Sequence, residues 1–297
     1  MKLVLTSDDR IGVLKDDGFV DVSAVFADIR YRTAKDRMPR VLGVFLERRA
    51  QVEEAAATGQ VEAIPALQAP VPRPPKLIAA FGNYREGQNA DRLPQDFFLE
   101  SPDSVLAPNG TVVLPNHPAT IFHHEAELAL VIGKRCKDLP ADASALEVLA
   151  GYTCGMDVSA RGLGRSAPSR QGKSFDTFTP LGPAIVTTDE ITDPNNLRVT
   201  LKVNGEPRQD YSTSDMEYSV PEVLAYVTGF MTLVPGDVII CGTNHQGLGA
   251  MQDGDTSSMS IEGIGTLAVV VSDPQKRVWD RGVDEATAAR HRTARSA

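Results

Sequence analysis

Residues 123–133, HHEAELALVIG, constrain the fold of this 297-residue chain more than any other stretch. The apolar run predicts a β-strand, and side chains along a strand alternate between its two faces. Glu125 and Glu127 therefore share one face, about 7 Å apart. The other face carries a core-facing set, Leu128, Leu130 and Ile132. Two like charges on one face either lie in water at a sheet edge or lie in a partly dry pocket, where a proton or a cation neutralises them.

A third carboxylate favours the second possibility without deciding it. Asp157 follows another strand-like stretch, in the segment GYTCGMDVSARG. Three carboxylates form an all-oxygen ligand set of the kind that Mg²⁺ or Mn²⁺ prefers, with water or substrate in the remaining positions. Such an ion acts as a Lewis acid on a carbonyl oxygen. An exposed pair of acids and a metal centre both remain open from these residues alone.

The composition excludes several classes of partner. Asp plus Glu number 39 and Lys plus Arg 30, so the formal charge is −9, and we expect neither nucleic acid nor an anionic membrane as a partner. No apolar stretch approaches the roughly 18–20 residues of a membrane helix, and the first segment, MKLVLTSDDR, is too short in its apolar part for a secretory signal. Three widely spaced cysteines predict a reducing, cytoplasmic location without a disulfide framework.

The pattern of strands, helices and prolines predicts four segments. Residues 1–64 form a small N-terminal domain, with three short strands and a helix over LGVFLERRAQVEEAAATG that ends at Gly59. Residues 65–76 are rich in proline and predict an extended linker. Residues 77–272 form the main domain. Residues 273–297 are polar and basic, which predicts a loose tail or an appended helix.

The main domain reads mostly as strands. Asn204 and Gly205 predict a two-residue hairpin turn. The segment SVPEVLAYVTGF predicts a helix, because Ser219 and Glu222 have the spacing of a capping box. PGDVIICGT and GIGTLAVVV are apolar runs bounded by glycine or proline, which predicts buried strands. These elements together predict a mixed α/β, β-rich fold.

Six blocks in this order resemble the fumarylacetoacetate hydrolase superfamily. They are FGNYREG (81–87), HHEAELALVIGK (123–134), GYTCGMDVSARGL (151–163), GKSFDTFTPLGP (172–183), VNGEPRQ (203–209), and LVPGDVIICGT followed by GIGTL, and they span about residues 76–272. The resemblance implies the bacterial two-domain type, with a rolled β-sandwich-like core behind a small N-terminal α+β domain. It also implies a homodimer.

The same resemblance implies roles for individual residues. It assigns one Mg²⁺ or Mn²⁺ per chain to Glu125, Glu127 and Asp157, and substrate-facing roles to Tyr84, Arg85, Lys173 and Thr243. In the family pattern the lysine faces the metal-bound substrate and the threonine holds a substrate carboxylate. Taken singly, the lysine and the threonine are also compatible with ordinary positions in turns.

The general base of the family is missing from its usual place. Many members carry a histidine just after NYRD and a glutamate three residues later, on a mobile lid. Here Gly87 or Gln88 stands at the histidine position, and Ala90 stands near the glutamate position. Further departures are Glu100 in place of a lysine, Gly162 and Gly164 in place of an acid and a glutamine, and GTNHQGLG in place of GTPxGVG.

His245, two residues after Thr243, is the candidate for a substitute base. The alternatives are a hydrogen-bonded turn histidine, or a member that has lost most of its activity. His123 and His124 precede the glutamates, and one of them is a candidate partner to a metal carboxylate, with core or loop roles equally open.

These features predict a divalent-metal-dependent hydrolase. The expected reaction cleaves a C–C bond in a small 2,4-dioxo acid of the acylpyruvate or fumarylpyruvate type, as in aromatic catabolism, with Lys173 and His245 as the catalytic residues. The same enolate chemistry serves an oxaloacetate-type decarboxylase or a hydroxymuconate-type isomerase or tautomerase. A non-catalytic binder of a keto acid is a further alternative.

Overall fold

A computed structural model describes residues 1–16, 18–87, 91–163 and 170–294, with side chains as far as residue 290. The described helices are Ala34–Thr58 (α1), Val220–Phe230 (α2) and Glu285–Ala294 (α3), and none of them is both long and apolar enough to cross a membrane. The strands are Lys2–Leu5 (β1), Ile11–Lys15 (β2), Gly18–Asp21 (β3), Leu77–Phe81 (β4), Asp96–Glu100 (β5), Val105–Leu106 (β6), Thr111–Val113 (β7), Ile121–His123 (β8), Ala126–Ile132 (β9), Leu149–Met156 (β10), Ser159–Arg161 (β11), Thr179–Val186 (β12), Arg198–Val203 (β13), Glu206–Ser212 (β14), Val238–Ile240 (β15), Thr256–Ile261 (β16) and Gly265–Ser272 (β17).

The strands form two large sheets and one small pair. The larger sheet follows the order β3-β2-β1-β12-β10-β9-β15-β4-β5, with β6 beside β12. The second sheet follows the order β14-β13-β16-β17-β7, and its apolar face packs against the larger sheet in one shared core. β8 and β11 form a separate two-stranded sheet. The predicted mixed, β-rich fold is confirmed.

Strand β9, which contains Glu127 and directly follows Glu125, lies in the interior of the larger sheet. It pairs with β10 on one side and with β15 on the other. Its alternating side chains enter two different hydrophobic clusters, so both of its faces are buried. The structure therefore excludes a solvated edge strand as the explanation for Glu125 and Glu127.

The N-terminal strands join the same large sheet. β1, β2 and β3 form an antiparallel meander, and β1 also pairs with β12 of the main domain. Helix α1 begins at Ala34, earlier than the sequence predicted. Pro39 argues against a helix there, but Thr33 and Asp36 form a capping box that starts it. The division into segments at residues 64 and 76 stays a prediction.

Several local predictions can be compared with the backbone. Asn204 and Gly205 connect β13 to β14 with φ of 54° and 82°, the left-handed values of a type I′ turn. Ser219 and Glu222 form the predicted capping box of α2. β15 is buried throughout, as predicted, whereas β17 alternates between buried and partly exposed residues because only one face of its sheet meets the core.

Candidate metal centre

Three carboxylates converge where β9 begins and β10 ends. One ligand atom from each of Glu125, Glu127 and Asp157 lies within 4.8 Å of the others, and each residue is no more than 3% exposed. Sheet pairing causes this convergence, because Met156 lies opposite Ala126 in the antiparallel ladder. One residue further on, the Asp157 N–H donates to the carbonyl oxygen of Glu125 at 2.9 Å. The set therefore has the composition of a site for a hard divalent cation.

Two cationic side chains contact the cluster. Lys173 Nζ donates to Glu125 Oε2 at 2.5 Å and also to Asp157 Oδ2. Arg161, on β11, donates to Glu125 Oε1. Burial works to raise the pKa of Glu125, but the charges of Lys173 and Arg161 outweigh it and hold that pKa below its ordinary value. Lys173 lies in a short 3₁₀ turn over Arg170–Lys173, where it is 12% exposed.

A fourth carboxylate, Glu100 at the end of β5, belongs to the same electrostatic cluster. It is buried, and its Oε2 accepts a hydrogen bond from Thr179 Oγ1 at 3.1 Å. Burial, followed by the charge of Asp157, raises the pKa of Glu100 well above its usual value. The sequence showed Glu100 only as a replaced lysine, and its position in the cluster was missed.

The charges of the cluster would not balance if every carboxylate among the described residues were ionised. Four ionised carboxylates would exceed the two cations Lys173 and Arg161 by two negative charges, and burial, followed by the charge of Asp157, raises the pKa of Glu127 well above its usual value, as it does for Glu100. Burial and the charge of Glu125 raise the pKa of Asp157 to about 7 against the opposing charge of Lys173. Asp157 Oδ1 is a buried oxygen with no hydrogen-bond partner in the described structure. One divalent cation would neutralise these two negative charges, and Asp157 Oδ1 would be one of its ligands. The residues therefore fit Mg²⁺ or Mn²⁺.

The loop after β15 is fixed against the glutamate strand. The Gly242 N–H donates to Glu127 Oε2 at 2.6 Å, and Thr243 Oγ1 donates to the carbonyl oxygen of Ala126 at 2.9 Å. Gln209 Nε2 donates to Thr243 Oγ1 at 2.8 Å. Thr243 is thus held beside the ligands as the sequence pattern suggested, although its role stays a prediction. Gln209 was not singled out, and its place at the end of the VNGEPRQ block was the available signal.

His245 follows on the same loop and meets an acid that the sequence analysis did not single out. His245 Nδ1 lies 2.5 Å from Glu86 Oε1, and the two side chains are 15% and 2% exposed. Burial raises the pKa of Glu86, but its hydrogen bond and charge interaction with His245 more than offset that effect, so this pKa is lowered. A single acid in the NYREG segment carries no periodic pattern, which is why it was missed.

The two predicted substrate-binding residues of the NYREG segment differ in burial. Tyr84 is buried, with its ring edge-on to Tyr211 at 5.0 Å between centroids. Arg85 is exposed, and its backbone N–H donates to the Asp215 carbonyl oxygen at 3.0 Å. The Arg85 side chain is therefore not buried with the carboxylates. Gln88, Ala90 and Gly164, at which the family pattern breaks, lie outside the described residues.

The two histidines before Glu125 have different surroundings. His123 receives a hydrogen bond from Arg161 Nε at 3.2 Å, and its other ring nitrogen lies 3.1 Å from Asp284 of the C-terminal segment. Burial, followed by the charge of Arg161, lowers the pKa of His123 to about 3, so it is neutral. His124 Nδ1 lies 3.3 Å from Gln209 Oε1. His123 thus contacts Arg161, which in turn contacts Glu125.

Comparison with known proteins agrees with this geometry. The domain described as Fumarylacetoacetate (FAA) hydrolase C-terminal matches residues 76–272. The maleylpyruvate hydrolase of Aquipseudomonas alcaligenes is 34% identical over 292 residues, which cover 91% of this chain and 99% of that protein. The mitochondrial oxaloacetate tautomerase Fahd2a of Rattus norvegicus is 36% identical over 251 residues, which cover 77% of this chain and 79% of that protein.

A solved structure extends the similarity to the whole fold. The crystal structure of maleylpyruvate hydrolase from Sphingobium sp. SYK-6, in complex with a manganese(II) ion and pyruvate, superimposes with a TM-score of 0.81. It is 33% identical in sequence, and the match covers 92% of this chain and 99% of that chain.

Proposed function

The chain belongs to the fumarylacetoacetate hydrolase family, and on that basis we propose that it is a divalent-metal-dependent hydrolase of a small 2,4-dioxo acid of the acylpyruvate type. The observation that carries this proposal is the convergence of the buried carboxylates Glu125, Glu127 and Asp157, whose ligand atoms lie within 4.8 Å of one another. The similarity to maleylpyruvate hydrolases along nearly the whole chain supports the acylpyruvate class.

The proposed reaction conserves atoms and charge. Water adds to the acyl carbonyl carbon of R–CO–CH₂–CO–COO⁻, and the bond between that carbon and the methylene group breaks. Its electron pair forms the enolate of pyruvate, which takes a proton at carbon, so the products are R–COO⁻, pyruvate and one proton. A divalent ion, when bound, supplies Lewis-acid stabilisation of the keto and enolate oxygens.

The protein residues supply position and proton transfer. Lys173 and Thr243 lie beside the ligands and would hold the carboxylate of the keto acid. His245, on the loop that follows Thr243, would take the proton from water and return it to the enolate carbon. The buried surroundings would strengthen each of these charge interactions.

The second candidate is a tautomerase of oxaloacetate, which the 36% identity to the rat enzyme favours. Oxaloacetate is also a 2-keto acid whose enol form requires proton transfer at the adjacent carbon. The same residues could therefore serve it without any water attack. The two reactions differ in their products, because tautomerisation releases no pyruvate.

A substrate panel tests the proposal. The wild-type protein with Mg²⁺ or Mn²⁺ is incubated with acetylpyruvate, maleylpyruvate, fumarylpyruvate and oxaloacetate, while enol absorbance and pyruvate release are followed. We expect one pyruvate per acylpyruvate consumed, and we expect a chelator to abolish the reaction. Enol–keto exchange of oxaloacetate alone would favour the second candidate. Binding without turnover of any substrate would contradict both and would indicate a keto-acid binder.

We also propose a homodimer in the cytoplasm that acts in aromatic catabolism. The family resemblance supports the dimer, and the buried cysteines Cys136, Cys154 and Cys241 are compatible with a reducing compartment. Light scattering at micromolar concentration tests the dimer, because a monomeric mass would contradict it.

A further inference from the structure

We infer that Glu86 and His245 form one proton-transfer pair, in which Glu86 positions the imidazole that acts as the base; this inference rests on the proposed function. The pair combines two loops that are 159 residues apart in sequence. It would replace a base that the family usually carries on the lid, where this chain has Gly87 or Gln88.

The contacts of Glu86 hold both the ring and the loop of His245. Glu86 Oε1 lies 2.5 Å from His245 Nδ1 and accepts the His245 backbone N–H at 3.1 Å. Glu86 Oε2 accepts from Gln246 Nε2 at 2.8 Å. Both carboxylate oxygens therefore contact residues of the 3₁₀ turn His245–Gly247. A carboxylate accepts from donors only, so the ring nitrogen that faces it carries the proton.

The backbone around Glu86 is unusual in a way that suits this role. Glu86 has φ of 58°, a left-handed conformation that side chains other than glycine rarely adopt. The Glu86 N–H donates to Asp215 Oδ2 at 2.9 Å, and the same oxygen accepts from Asn244 Nδ2 at 3.2 Å. Asp215 thus joins the two loops a second time. The left-handed turn directs the carboxylate of Glu86 inward, where it is buried.

The pair lies beside the metal centre. The loop of His245 is fixed to the glutamate strand through Gly242 and Thr243, two and three residues before it. The charge of His245 is among the interactions that lower the pKa of Glu125, after those of Lys173 and Arg161. His245 therefore belongs to the loop that contacts Glu127 and Ala126.

The contact between His245 Nδ1 and Glu86 determines which ring nitrogen acts as the base. With Nδ1–H donated to Glu86, the lone pair of the neutral ring is on Nε2. Nε2 takes a proton from water, the charged ring is stabilised by the Glu86 carboxylate, and the same proton returns to the enolate carbon. No proton passes to Glu86 in this cycle, so Glu86 is a positioning residue.

Deuterium exchange into the methyl group of pyruvate tests the pair directly. Removing and returning a proton at this carbon is the reverse of the last step of the proposed hydrolysis, so it needs the base but no acyl substrate. Wild-type protein, His245→Gln, Glu86→Gln and the double variant are incubated with Mg²⁺ and pyruvate in D₂O, and exchange is followed by proton NMR. Manganese and pyruvate binding are measured for each variant by electron paramagnetic resonance and calorimetry.

The expected losses are distinct for the two residues. His245→Gln should slow exchange by about 10²–10⁴-fold, and Glu86→Gln by roughly 10–100-fold. In the His245→Gln background, Glu86→Gln should cost less than about two-fold, because the two residues act as a unit. Glu62→Gln is the matched control, since Glu62 is exposed and pairs with Arg10. It should exchange at the wild-type rate.

Several outcomes would overturn the pair. If Glu86→Gln slowed exchange equally in the wild-type protein and in the His245→Gln variant, Glu86 would have only a structural role. The same conclusion would follow if weaker manganese binding accounted for the slower exchange of Glu86→Gln. Absence of exchange in the wild-type protein would also overturn it. If acylpyruvate hydrolysis did not depend on either residue, the proton-transfer pair would be ruled out, but the proposed hydrolase function would stand. Pair-dependent exchange without hydrolysis of any acylpyruvate would support the pair and contradict the hydrolase.

A second measurement does not depend on variants that fold. The chain has five histidines, so nitrogen NMR of the histidine-labelled wild-type protein can resolve their tautomers. His245 should carry its proton on Nδ1 in its neutral form. A neutral ring protonated on Nε2 would overturn the inference.

Discussion

The ligand strands and the base loops are built in different ways. Glu125, Glu127 and Asp157 adjoin two strands that pair along most of their length in the middle of a sheet, so the ladder fixes their relative positions. Glu86 and His245 come from two loops that are joined by side-chain hydrogen bonds. Side chains on a packed ladder cannot exchange places without refolding the sheet. Loops are less constrained than a ladder, so the proposed base, His245, lies on a different loop from the histidine of the family pattern.

The first prediction, with the largest expected effect, removes a strand-borne ligand. Asp157→Ala should abolish activity and weaken Mn²⁺ binding by more than the roughly 10–100-fold that the loss of an outer partner causes. Loss of the carboxylate removes one of the three proposed ligands. Calorimetry with Mn²⁺ measures the effect, with the surface variant Asp189→Ala as control. Activity that survives in Asp157→Ala would mean that the strands do not carry the metal.

The second prediction separates metal binding from turnover at Lys173. Lys173→Gln should lower kcat/KM by about 10²-fold or more, since a charge facing the substrate is lost. It should also tighten Mn²⁺ binding, because Lys173 now neutralises Glu125 and Asp157. Lys134→Gln, an exposed lysine, is the control. Weaker metal binding in Lys173→Gln would contradict this prediction. It would mean that Lys173 positions the carboxylates for the ion and does not compete with the ion for them.

The residues that the sequence could identify, and those that it could not, differ in a similar way. Glu125, Glu127 and Asp157 could be singled out because alternation along a strand and a third acid make a pattern, and the family resemblance then implied that they bind a metal. Glu86 and Glu100 were not, because a single acid in a loop or at a strand end has no periodicity. Their partners are set by tertiary folding: His245 for Glu86, and Thr179 and the cluster for Glu100. The early start of α1 was hidden by Pro39, and the face that β17 exposes depended on sheet packing.

The third prediction concerns the pH dependence of metal stabilisation. The pKa of Asp157 is raised from 3.8 to about 7, so the metal-free folded state holds a proton that the unfolded chain has lost. Its stability should therefore fall as pH rises between these two values. Mn²⁺ must displace this proton, so its stabilisation should be smaller at pH 6 than at pH 8. At 100 times Kd the effect is about 2.7 kcal/mol. Thermal unfolding measures it, and an equal shift at both pH values would contradict the account.

The fourth and smallest effect is expected from the C-terminal segment. Asp284 contacts His123, which contacts Arg161, which contacts Glu125. Asp284→Asn acts on the ligand only through two intermediate side chains. It should weaken Mn²⁺ binding by less than the roughly 10-fold lower bound for a direct outer partner. Asp280→Asn, in the same segment, is the control. A larger loss would mean that the C-terminal segment forms part of the centre.

Anomalous diffraction at the manganese edge, from crystals soaked with Mn²⁺ and pyruvate, is the most direct test of the metal centre. The account predicts one manganese peak per chain, bonded to Glu125, Glu127 and Asp157, with pyruvate on the side of His245. The central claim would be contradicted if crystals soaked in millimolar Mn²⁺ showed no anomalous peak at these three carboxylates. A manganese peak bonded to other residues would contradict it as well.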